Sequence, residues 1–103
     1  MIYVVRWRFK ESLAASDLGA VNALLDREVF PALTRVPGVR GVQAYQALNG
    51  ELVMLLDVEG LAAIDRALAD RAYGQVASKL FTYLVRTGGE VWYDRAAFEG
   101  CYG

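Results

Sequence analysis

The sequence predicts an α+β fold whose elements run β-α-β-β-α-β, on three observations. Apolar residues alternate at Tyr3, Val5, Trp7 and Phe9, then recur at three- and four-residue steps from Leu18 to Val36. A pair of strand-like runs follows, divided by Asn49-Gly50, and the helical spacing then returns before a last short strand. This order is the split βαβ of ferredoxin-like folds. Right-handed crossovers place both helices on one face of a four-stranded antiparallel sheet.

The first strand has an apolar, aromatic face and a face that becomes cationic through Arg6, Arg8 and Lys10. Ser12 and Ser16-Asp17 are capping candidates for the helix that follows. Its stripe comprises Leu18, Val21, Leu24, Leu25, Val29, Phe30, Leu33 and Val36. Pro31 inside the stripe should kink this helix or start a second short one, and Pro37-Gly38 stops it. The second strand is expected from about Val39 to Leu48, with Asn49-Gly50 as a two-residue hairpin signal. Leu52-Val53-Met54-Leu55-Leu56 is apolar throughout, as for a strand buried on both faces. After Gly60 a second helix carries Leu61, Ile64, Leu68, Tyr73, Val76, Leu80 and Tyr83, with a break expected at Gly74. Gly88-Gly89 is expected to turn into a strand over Glu90–Asp94.

The 103 residues allow a single domain, 1–103. Hydrophobic residues make up 55% and mean hydropathy is +0.23, more apolar surface than one small core hides. The helix-free sheet face, with Ile2, Val4 and the third strand, is therefore expected to be covered by a second copy in a homodimer. Cys101 has no cysteine to pair with, so a disulfide scaffold is excluded and a cytoplasmic location is expected. With no histidine there is no imidazole metal ligand, Ser-His-Asp triad or axial histidine for haem. The acidic residues are scattered, so no metal and no cofactor are expected. A pI near 5.3 gives no basic footprint for nucleic acid, and no apolar run is long enough for a membrane helix. The third strand lacks the aromatics with which RNA-recognition domains stack bases, and C-x-x-C is absent.

Phe30-Pro31-Ala32-Leu33 leading into Val36-Pro37-Gly38-Val39-Arg40-Gly41, then Leu61-Ala62-Ala63-Ile64 and Asp70-Arg71-Ala72-Tyr73, resembles the dimeric α/β-barrel superfamily. That superfamily includes antibiotic-biosynthesis monooxygenase-like and stress-responsive barrel-like proteins. The resemblance spans nearly the whole chain and implies two sheets closing one barrel with the helices outside. It implies cofactor-free oxygenase or isomerase chemistry, or a non-catalytic dimeric binding or stress-associated module. Many relatives carry a histidine near the position of Tyr73; its absence here disfavours haem degradation and histidine-based cyclisation.

Two readings stay open for each candidate residue. Trp7, Tyr3 and Phe9 either pack the core or form the wall of a pocket for a small apolar or aromatic ligand. Tyr45, Tyr73, Tyr83 and Tyr93 could each donate a phenol hydrogen bond to a ligand carbonyl or enolate. A phenol is a poor base at neutral pH, so Tyr73 is expected to orient or stabilise an oxyanion if the chain is catalytic. Asp57 interrupts an apolar strand and is the second catalytic candidate; the alternative is a residue of the helix-entry loop. Arg6 and Arg8 are expected to form ion pairs, with Asp57, Glu59, Glu90 or Asp94 as partners; the alternative is an anion-binding role.

Overall fold

A computed structural model describes residues 1–11 and 15–95. Its elements are β1 (Ile2–Phe9), α1 (Ala15–Leu24), a π-helical turn (Leu25–Val29), α2 (Phe30–Thr34), β2 (Val39–Gln46), β3 (Leu52–Val58), α3 (Leu61–Ala69), α4 (Arg71–Leu80) and β4 (Leu84–Trp92). The sheet order is β2-β3-β1-β4, with every neighbouring pair antiparallel. This is the ferredoxin-like arrangement that the alternating and helical spacings predict. Ser12 and Cys101 lie outside the described residues.

β1 is central, and its side chains divide the molecule. Tyr3, Val5 and Trp7 are buried in the core beneath the helices, together with Leu52, Met54, Leu56 and Val58 of β3. Leu33, Leu80, Val21 and Val29 close this core from the helical layer, all fully or nearly fully buried. Removing such a side chain from water contributes about 1.5–3 kcal/mol each. On the helix-free face Val4 is fully buried beside its cross-strand partners Leu55 and Glu90. Val53 and Leu55 are half-buried there, while Trp92 is 44% exposed. In a single chain the third strand is thus buried on one face only.

Pro31 sits in the first turn of α2, where a missing N–H costs least. Immediately before it the helix widens, and the Phe30 N–H donates to the Leu25 carbonyl across a π-type turn. Gly38 (φ +91°) ends the segment, where a Cβ would lie 2.7 Å from that of Ala63. Only glycine combines that backbone with so close an approach to α3.

Four boundaries differ from expectation. α1 starts at Ala15, so Ser16 and Asp17 lie in its first turn rather than before it. β2 ends at Gln46 and the hairpin is wider than two residues: the Ala47 N–H donates to the Glu51 carbonyl and the Gly50 N–H to the Ala47 carbonyl. The second helical stretch breaks at Asp70, not Gly74; Asp70 is extended (ψ 124°), and its Oδ2 caps α4 by accepting from the Tyr73 N–H at 2.7 Å. Gly88-Gly89 does not turn. β4 already begins at Leu84 and runs through both glycines.

Candidate functional site

The bend at Asp70 tilts α4 over the aromatic end of β1 and leaves a cavity of about 210 Å³. Tyr3, Val5 and Trp7 form its floor, Leu68, Tyr73 and Ala77 its helical wall, and Phe81 and Arg86 its rim. Tyr73 enters this wall because the Asp70 cap fixes the first turn of α4, which carries it. The Trp7 indole is 2% exposed and meets Phe81 edge-on, with ring centroids 5.5 Å apart. Its Nε1–H is buried and has no acceptor among the described residues.

Burial pushes the Tyr73 phenol above its ordinary value, with the neighbouring Arg86 charge opposing and Tyr3 adding to the rise. Tyr73 therefore remains a hydrogen-bond donor at neutral pH and is a poor proton acceptor. Arg86 Nη2 donates to the Tyr3 hydroxyl at 2.7 Å. An irregular register brings them together: Trp7 pairs with Arg86, Arg6 with Gly88, and Thr87 is left as an extra residue. Such a bulge re-aims the side chains beside it. Arg86 and Gly89 both pair with helix-facing residues, Trp7 and Val5, and so share the cavity face. A Cβ at Gly89 would stand 2.6 Å from Arg86 Nη2 and 3.2 Å from Tyr3 Oη, so the missing side chain makes room for the pair.

The structure brings Tyr3, Trp7 and Tyr73 together and leaves the other candidates elsewhere. Asp57 is exposed on the helix-free face, 3.4 Å from Arg40 Nη2. Tyr45 is 53% exposed and donates to Gln43 Oε1 at 2.6 Å. Tyr83 lines a separate groove of about 420 Å³ between α1 and α4, which the Lys79–Glu28 ion pair crosses at 2.6 Å. Arg6 pairs with Glu90 at 3.0 Å on the helix-free face, and this hydrogen bond holds the Glu90 carboxyl below its ordinary range. Among the described residues no group of three or more histidine, cysteine, aspartate or glutamate side chains could hold a metal ion.

Arg86 and Gly89 are the site residues that sequence reasoning missed. Alternation is the signal that finds strand faces, and the extra residue at Thr87 interrupts it at this point.

Solved structures share this fold. A cofactor-independent oxygenase from Streptomyces nogalater, SnoaB, is 18% identical, with a TM-score of 0.67 over 90% of this chain and 92% of its own. A protein described as an antibiotic biosynthesis monooxygenase is also 18% identical, with a TM-score of 0.65 over 91% of this chain and 97% of its own. A dimeric protein of ferredoxin-like fold from Bacteroides fragilis is 10% identical, with a TM-score of 0.66 over 86% and 88%. The chain therefore shares the ferredoxin-like fold of these structures, in keeping with the resemblance carried by the motifs around Pro31, Pro37-Gly38 and Tyr73. At these identities the likeness carries the fold and no activity. No protein-family model matches the chain, and neither does any curated protein sequence. Among the described residues no helix is long and apolar enough to cross a membrane.

Proposed function

We propose that the chain is a cytoplasmic homodimer that binds a small apolar or aromatic metabolite in the cavity between β1 and α4. The observation that carries this reading is the meeting of Trp7, Tyr3 and Tyr73 around one space. Trp7 packs against the ligand ring, and Tyr73 donates to its carbonyl. The dimer forms through the helix-free face, where Ile2, Val53, Leu55 and Trp92 are incompletely covered in one chain. The dimeric relative of the same fold supports that assembly.

The catalytic form of the reading is cofactor-free oxygenation or isomerisation of an activated, enolisable substrate. In it the protein supplies shape and hydrogen bonds, and the donors around the cavity stabilise the enolate. Among the described residues the lining contains neither carboxylate nor imidazole. That favours a second reading, a dimeric binding module without proton abstraction. Thermal unfolding of the protein with a panel of quinols and polyketide-like aromatics tests the ligand site. Binding selective for the native state raises the apparent melting temperature, by linkage. A panel without any stabilising compound counts against a ligand site, and stabilisation without turnover favours the binding module.

A further inference from the structure

We infer that the ligand is a single-ring aromatic carboxylate whose anionic group is held by Arg86 and Tyr3; this rests on the cavity being a ligand site. Among the described residues Arg86 is the only cation lining the cavity, and it makes no ion pair with any of them. Its bond to the Tyr3 oxygen leaves further guanidinium N–H groups available, and because Tyr3 accepts, its own O–H is free to donate elsewhere. Tyr73 brings a second hydroxyl to the same lining. The polar side chains around this space are thus rich in donors, with no carboxylate, amide or imidazole among the described residues to receive them. A carboxylate, which accepts at both oxygens, complements that set, and charge-assisted bonds of this kind are about twice as strong as neutral ones. Gly89 keeps open the space in which the pair sits.

Volume sets the rest of the ligand. Pockets for drug-sized ligands run to roughly 300–1,000 Å³, and a cavity of roughly 150 Å³ takes up benzene. At about 210 Å³ this one has room for one ring and one substituent. The ring lies among Trp7, Phe81, Leu68 and Ala77.

Titration calorimetry at neutral pH with benzoate and its neutral analogue benzamide tests the inference. Benzoate should bind about tenfold more tightly than benzamide. Arg86→Gln should remove that preference while leaving benzamide affinity within about twofold, and Arg86→Lys should restore part of it. Arg86 is exposed, so these variants fold. Equal binding of the two compounds, or a preference that survives Arg86→Gln, overturns the carboxylate assignment. If that equal binding is abolished by Ala77→Phe, which fills the cavity, the ligand site itself stands. No binding of either compound overturns the carboxylate assignment alone, and binding indifferent to Ala77→Phe lies outside the cavity and overturns it as well.

Discussion

Arg86 and Tyr3 lie 83 residues apart in the chain, yet the guanidinium of one donates to the hydroxyl of the other at 2.7 Å. The bond ties the edge strand to the central strand at the cavity rim and fixes a cation above an aromatic floor. Tyr3→Phe keeps the ring and removes the acceptor. A hydrogen bond to a charged group contributes about 1.5–3 kcal/mol when shielded, and exposure of the arginine reduces this to about 1 kcal/mol. Urea unfolding should show a loss of that size with an unchanged m-value. A Tyr3→Phe protein as stable as the parent would remove the bond from the forces holding β4.

Gly89→Ala separates stability from recognition. Alanine suits a strand better than glycine by about 0.5–1 kcal/mol, which offsets the displacement of a flexible arginine end. The midpoint of urea unfolding should therefore move little. Binding of benzoate should weaken, because the new methyl group occupies the place where Arg86 and Tyr3 meet. Unaltered benzoate affinity would deny Gly89 its positioning role.

Stability should depend on pH through Tyr73. Its phenol ionises at about 10 in the unfolded chain and higher in the folded one, where burial disfavours the anion. Folding thus favours the protonated form. The contribution is fully present below pH about 10 and is lost as pH rises from there through the raised folded value. The free energy of unfolding, measured at a series of alkaline pH values, should fall more steeply with pH for the parent than for Tyr73→Phe. Parallel curves would mean that the phenol is as well hydrated folded as unfolded.

Leu55 is half-buried on the helix-free face, opposite Val4 and beside Val53. Replacing it by aspartate puts a charge where a second sheet is proposed to pack, and an unpaired charge at such a seam is costly. In sedimentation velocity the parent should run at twice the 11.3 kDa chain mass, and Leu55→Asp at the single mass. A parent already monomeric at micromolar concentration would refute the dimer.

The sequence makes the strand faces legible because a period of two fixes them: Tyr3 and Trp7 on one side, Arg6 and Arg8 on the other. Tyr73 follows from helical spacing, although the bend that aims it comes from Asp70, a capping residue obscured by the continuous apolar stripe around it. Tyr83 follows the same stripe but falls beyond Leu80, where the helix has ended, and turns to another groove. Tyr45 and Asp57 belong by register to the helix-free face, being paired with Val53 and Gly41. The rim escapes sequence reading altogether. A paired glycine looks like a turn, and only the tertiary packing of Tyr3 and Arg86 explains why it lies within a strand.

Trp7 reports directly on whether the space between β1 and α4 takes up a ligand. In a Trp92→Phe background it is the only tryptophan, so its emission can be followed during titration with an aromatic compound that raises the melting temperature. A ligand in this cavity should shift that emission saturably, and Ala77→Phe should abolish both the shift and the stabilisation. A compound that stabilises the protein while Trp7 stays silent must bind elsewhere, and the cavity would then be no more than a packing defect.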